Sequence, residues 1–231
     1  TAHQLSDNLG LKFSASYLQA QEWPDIDPIE QSERQKIDAD PAFWAIDLQN
    51  AAGISPQEAE ARLARVAQRD YDIGRWTGDA RVDWRVAEDA TAIVSAGVSN
   101  AGSQIELTGL GAAQVEDWRY SYFQTRFNRR RLFAQAYLNS SNAGDTYLLR
   151  NGVPISDESK LYVAQIQHGI NPWNRQNFTY GVDYIYTNPQ TNGTINGIYE
   201  DEDETTEIGG YLQYELALTP KFDVVLAGRV D

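Results

Sequence analysis

The sequence predicts an all-β protein: an antiparallel, up-and-down transmembrane β-barrel that is partial, with about nine strands present. Three observations predict it. Apolar residues return at every second position in segment after segment, the period of a strand and not of a helix. The connections between these segments alternate between short and long. The chain is also rich in aromatic residues, with 6 Trp, 13 Tyr and 7 Phe.

The segment 75–86 shows the pattern most clearly. Trp76, Gly78, Ala80, Val82, Trp84 and Val86 fall on one parity, and Arg75, Thr77, Asp79, Arg81, Asp83 and Arg85 on the other. Before it, Leu11, Phe13, Ala15 and Tyr17 alternate with Lys12, Ser14 and Ser16. After it, the alternation recurs in 90–98, 132–138, 162–170, 178–186, 208–218 and 222–230, while 118–127 is a strand by composition with ambiguous parity. Tight turns are expected at 87–89, 128–130, 171–176 and 219–221. Long loops are expected at 24–69, 100–114, 141–159 and 188–203. Hairpins tight at one end and long at the other are the habit of outer-membrane barrels, with short periplasmic turns and long extracellular loops. One short helix is expected inside the longest loop. Ser55 is placed as N-cap, Pro56 at the first helical position and Glu58 three residues after the cap.

Composition removes several classes of function. The net charge is −14 and the pI about 4.5, which argues against nucleic acid as a partner and against a polybasic membrane anchor. There is no Cys, so disulfides, thiol catalysis and Cys-based zinc sites are excluded. His3 and His168 are the two histidines, too few for a His-triad metal centre. No apolar run approaches the roughly 18 residues of a membrane-spanning helix. A mean hydropathy of −0.53 reads as water-soluble, but strands apolar only at every second residue average out as polar. No Met is present and the alternation continues to the last residues, so the sequence is expected to be an internal piece of a longer protein.

If the barrel lies in lipid, the side chains facing hydrocarbon are Trp76, Val82, Trp84, Tyr180, Val182, Leu212, Tyr214, Leu216, Val224 and Leu226, with the opposite parity facing a wet lumen. The loop aromatics Phe43, Trp44, Tyr147 and Tyr199 are the candidates for ligand contact.

The stretch 178–231 resembles the mid-barrel region of TonB-dependent outer-membrane receptors. A GVD strand at 181–183 leads into an NGTING loop at 192–197 and an acidic run. A hairpin of the form GxYLQxExxLxxKFDxVLAxRxD follows at 209–231. The N-terminal 9–30, ending in Trp23 and Asp27-Pro28, resembles the first strands that follow the plug domain of that family. The resemblance implies a barrel of about 22 strands in the bacterial outer membrane, closed by a plug and importing a scarce ligand with energy from TonB. The whole of 1–231 would be part of that one barrel domain. The plug and the TonB box lie outside these residues. Outer-membrane lipids, TonB and a surface lipoprotein are the partners implied, and the ligand is not specified.

Other motifs have plainer readings. The acidic run Glu200-Asp201-Glu202-Asp203-Glu204 lacks the spacing of a calcium loop and reads as a solvated loop. Arg129-Arg130-Arg131 reads as a turn flank before it reads as a phosphate clamp. Asn192-Gly193 and Asn196-Gly197 are turn dipeptides. No spacing supports catalysis, a metal or a cofactor, so the expectation is a transporter and not an enzyme. Two rivals remain: a barrel serving as an adhesin or a scaffold in an envelope complex, and a soluble β-sandwich that binds glycans.

Overall fold

The two-residue periodicity becomes strand wherever it occurs. The computed structural model describes residues 1–195, 197, 199 and 202–231. In chain order the elements are β1 (Ala2–Ser6), β2 (Leu9–Gln21), α1 (Pro28–Ala39), α2 (Pro41–Ala52), α3 (Pro56–Arg65), β3 (Asp72–Ala87), β4 (Ala90–Thr108), β5 (Gly111–Arg129), β6 (Leu132–Asn142), β7 (Tyr147–Leu148), β8 (Lys160–Ile170), β9 (Gln176–Asn188), β10 (Thr205–Thr219) and β11 (Phe222–Val230).

Among the described residues all the strands belong to one 11-stranded antiparallel sheet in which each pairs with its neighbours in sequence; only β7 leaves this path, to pair with β5. The sheet is open, with β1 and β11 at its two edges. It is a meander in a single layer, and not the two packed sheets of a sandwich.

Because directly opposed residues share a face, the register carries parity from strand to strand. One row runs Leu11, Val82, Val94, Thr125, Ala136, Ala164, Tyr184, Ile208. The neighbouring row, on the opposite face, runs Lys12, Arg81, Ser95, Gln124, Tyr137, Val163, Ile185, Glu207. The first face is apolar and open: Trp76 is 41% exposed, Trp84 52% and Leu226 62%. The parity of β5, ambiguous in the sequence, is settled by its partners, for Phe123 and Phe127 stand opposite Ala96 and Ala92 on the apolar face.

The polar face is knit together by long side chains that cross an intervening strand at a glycine. The Tyr122 hydroxyl donates to Asp79 Oδ1 at 2.9 Å, passing over Gly97, where a Cβ would lie 2.5 Å from the Tyr122 ring. Tyr211 reaches Gln167 Oε1 at 2.6 Å over Gly181, where a Cβ would meet the Tyr211 hydroxyl at 2.5 Å. Arg229 reaches Asp183 at 2.6 Å beside Gly209. In each case the missing side chain leaves room to couple strands that share no backbone hydrogen bonds.

The structure corrects the expected element list in three places. Two strands are added: β1, which is polar and has no apolar alternation, and the two-residue β7. The expected loop 100–114 is not a loop, because β4 and β5 stay paired through Thr108 and Gly111. Its Gly- and Ala-rich composition has low strand propensity, and pairing overrides it. The longest connection carries three helices, not one. In the loop expected at 188–203, Asn196, Ile198, Glu200 and Asp201 lie outside the described residues.

The glycine crossings yield a prediction. Gly97→Ala forces Tyr122 off Asp79 and should cost about 1–3 kcal/mol, as for an overpacked site. Tyr122→Phe, which loses only the hydrogen bond, should cost about 0.5–1.5 kcal/mol. Thermal unfolding of the full-length protein orders the two, and a Gly97→Ala midpoint equal to wild type would refute the crossing.

Candidate functional site

The long-connection end of the sheet carries a folded cap. Its helices start alike, with an acidic or hydroxyl side chain followed by proline: Asp27-Pro28, Asp40-Pro41 and Ser55-Pro56. The capping oxygens accept from the backbone N–H of Ile29 at 2.8 Å, Phe43 at 3.1 Å and Glu58 at 3.1 Å. The Ile29 N–H holds the Asp27 carboxyl below the ordinary aspartate range, and Arg150 adds to the effect. Gly53, at φ 64, ends α2 in the left-handed conformation that favours glycine.

A buried ion pair fixes the cap. Glu30 is 1% exposed, and Arg69 grips it in two hydrogen bonds, Nε to Oε2 at 2.7 Å and Nη2 to Oε1 at 2.9 Å. Arg34 donates to the Leu63 carbonyl at 3.0 Å and ties α1 to the end of α3. The connection between β6 and β8 then joins the helices to the tall β4–β5 hairpin. The Ala67 N–H donates to the Leu149 carbonyl at 2.8 Å, and the Leu149 N–H to the Ala112 carbonyl at 2.9 Å. Gly152, at φ 65, lies so close to the Arg62 carbonyl that no side chain fits there. Gln114 is fully buried; its side-chain oxygen accepts from the Asp70 N–H at 2.8 Å, and its amide donates to Ser103 Oγ at 3.2 Å. Ala112, Tyr147 and Leu149 form the small apolar core of this unit, with Ile105 against them.

Below the cap a cleft of about 400 Å³ opens on the polar face, where Arg75, Gln104, Glu106, Trp118 and Tyr120 line it. Arg75 Nε donates to Gln104 Oε1 at 2.6 Å, and Gln104 contacts Glu106. The Trp118 indole N–H donates to Ser141 Oγ at 2.9 Å. Asp117, at φ 55, interrupts the ladder between Ala101↔Trp118 and Ser103↔Glu116. Beyond that irregularity Gln104, Glu106 and Val115 line the same cleft as Ser99, Trp118 and Tyr120. The cleft brings two aromatic side chains beside a guanidinium, an amide and a carboxylate, residue types that can hold a polar ligand by stacking and hydrogen bonds. Among the described residues no group of His, Asp and Glu is arranged to hold a metal ion.

The residues predicted for ligand contact do not converge on this cleft. Phe43 is exposed on α2 and meets Trp44 edge-on at 5.4 Å. Tyr199 is exposed in the connection between β9 and β10. Tyr147 is corrected outright: it is 5% exposed, donates to the Gln68 carbonyl at 3.2 Å and lies under Arg65, 4.9 Å from its ring centre. It packs the cap and has no free ring face. Trp118 and Tyr120, which the sequence reading did not assign to a site, are the aromatic residues of the cleft; their two-residue spacing was the available signal. The predicted lipid-facing residues Trp76, Val82, Trp84, Tyr180, Val182, Leu212, Tyr214, Leu216, Val224 and Leu226 all fall on the apolar face. His168 shares that face, and its Nδ1 lies 2.8 Å from the Tyr180 hydroxyl.

No family model, curated protein or solved structure matches the chain.

Two predictions follow from the cap. Arg69→Ala leaves the Glu30 carboxylate buried and unpaired, a loss of about 3–5 kcal/mol. Amide exchange should rise across 28–69 while β8 to β11 stay protected; uniform exchange would show that the pair does not hold the cap. The second concerns pH. The lowered Asp27 value stabilises the cap above the unfolded-state value, and that stability is lost as the pH falls below about 4. Exchange in α1 should accelerate over that range, and Asp27→Asn should remove this part of the pH dependence.

Proposed function

We propose that this chain is part of an outer-membrane β-barrel of the TonB-dependent receptor type, which imports a scarce ligand with energy delivered through a plug domain. The observation that carries the reading is the apolar face. It is uncovered and register-locked across the sheet, with aromatic residues toward both ends of the strands. Tyr17 and Trp76 stand opposite each other near the cap, and Tyr162 meets Tyr186 at 5.9 Å. Trp84, Phe127 and Tyr180 occupy the other end. From Trp76 to Trp84 is eight residues along β3, about 26 Å at 3.3 Å per residue. With a tilt of about 40° this is about 20 Å along the membrane normal, close to the apolar band of about 25 Å in such barrels.

Further support comes from the segregation of polar groups. Lys12, Asp79, Arg81, Asp83 and Arg126 share the face opposite the apolar belt, as a wet lumen requires. The β1–β2, β3–β4, β5–β6, β8–β9 and β10–β11 turns lie at one end and the folded cap at the other, in the manner of periplasmic turns and extracellular loops; the β4–β5 hairpin departs from this, closing tightly at the cap end through Gly109 and Leu110. The reading requires further strands at the edges of β1 and β11, because unpaired backbone is not tolerated in hydrocarbon. The resemblance of 178–231 to the receptor family supplies the TonB-driven part. The cleft at Arg75, Trp118 and Tyr120 favours ligand handling over a purely adhesive or scaffolding barrel.

The test uses adjacent residues on opposite faces. In the full-length protein reconstituted into vesicles, Val94→Arg should destabilise by about 2–4 kcal/mol, and Ser95→Arg should have a much smaller effect. Equal effects, or a wild-type protein that stays soluble without detergent, would refute the membrane reading. A plug domain and TonB box upstream in the full-length gene are expected; their absence would favour the scaffold reading.

A further inference from the structure

The membrane reading accounts for the apolar belt but not for the polar groups that interrupt it at the tight-turn end. Arg129, the last residue of β5, stands opposite Leu132, and Leu132 opposite His168, which stands opposite Tyr180. All four therefore share the apolar face, along one register row that crosses β5, β6, β8 and β9. Arg129 and His168 are separated by a single strand, about 10 Å. On the side away from the turns this row is bordered by Phe127, Ala134, Ile166 and Val182. A cation and two further hydrogen-bonding side chains thus lie along the rim of a surface that is otherwise suited to acyl chains.

The charge around this row is unusual for the chain. The β5–β6 turn is built from Arg129, Arg130 and Arg131, the β8–β9 turn contains Arg175, and the β10–β11 turn contains Lys221; none of the three turns contains an acid. This cationic edge belongs to a chain with a net charge of −14. Glu88 and Asp89 of the β3–β4 turn and Asp7 of the β1–β2 turn set acids against it, and contact with the arginines is made by Asp89. Its close partner is Arg130, at 2.5 Å, and Arg129 is held only at 3.8 Å with its side chain 58% exposed. His168 and Tyr180 contact each other, in an edge-on arrangement with 5.5 Å between ring centres.

We propose that this rim is a headgroup site for an anionic phospholipid. The phosphodiester lies along Arg129, His168 and Tyr180, with Arg130 adding charge from the turn, and the acyl chains run over Ile166, Ala134 and Val182. A zwitterionic phospholipid offers the same chains but no net charge for the arginines to meet, so the rim selects for the anionic one. The proposal rests on the membrane reading and deepens it by naming the lipid recognised at one end of the belt.

Brominated phospholipids test it in the full-length protein reconstituted into vesicles, where Trp84 and Trp173 at the tight-turn end report lipid contact by quenching. Brominated phosphatidylglycerol is expected to compete for the protein surface about fivefold better than brominated phosphatidylethanolamine, the ratio given by about 1 kcal/mol for one basic side chain near an anionic surface, Arg129, because Arg130 is held closely by Asp89. In Arg129→Gln/Arg130→Gln the ratio should fall to about one while quenching by phosphatidylethanolamine is unchanged, which also reports that the variant is inserted. Equal quenching by the two lipids in wild type overturns the headgroup site and leaves the membrane reading standing. An absence of quenching by either lipid overturns both.

Discussion

Register is the constraint on which the rest of this structure depends. With side chains alternating at a period of two, a slip of one residue in any strand pair would turn that strand's apolar residues to the polar face. The sheet holds its parity from Leu11 on β2 to Ile208 on β10 without such an error. Turn length sets register locally. The side chains that cross glycines set it again over a span of three strands, because Tyr122 finds Asp79 only when Gly97 lies between them. The same parity separates the aromatic belt from the charged face, and so creates the two environments that the proposed function uses.

At the cap the controlling contacts are of another kind. A long connection between β2 and β3 would ordinarily be mobile, yet here it is folded into helices and tied down at several points. The Glu30–Arg69 pair is desolvated, so its value lies less in net stability than in the cost of breaking it. The contacts at Gly152, Ala67 and Leu149 fasten the helices to the β6–β8 connection. The connections from two different hairpins, together with the β4–β5 hairpin, thus form one unit above the cleft. A ligand held by Trp118 and Tyr120 would meet a shaped wall there and not a set of independent loops.

The sequence made the strands legible because alternation is a local signal that needs no partner to be visible. Parity was equally legible in 75–86 and 178–186, where charged or aromatic residues mark it. It was ambiguous in 118–127, where Arg119, Tyr120, Tyr122 and Phe123 mix the two classes. The β4–β5 extension was missed because Gly and Ala carry little strand preference, and pairing with a neighbour decided their conformation. Two helices were missed although Asp27-Pro28 and Asp40-Pro41 repeat the Ser55-Pro56 start; an acid can stand in for serine as a cap. The cleft was beyond reach for a different reason. It joins Arg75 on β3 to Trp118 on β5 through an interruption at Asp117, and only pairing between strands brings them together.

The nearest-neighbour order of the meander also bears on how the chain is assembled. Every strand except β7 finds a partner in the next strand of the path, so pairing needs no crossover, even where a long connection such as that between β2 and β3 has to close. The sheet can therefore be laid down as a zipper, one hairpin after another, each new strand templated on the exposed edge of the last. The cap is the exception. Arg69 and Gln114 tie together segments that the zipper brings in at separate times, and so the cleft is completed only after the strands beneath it are in place.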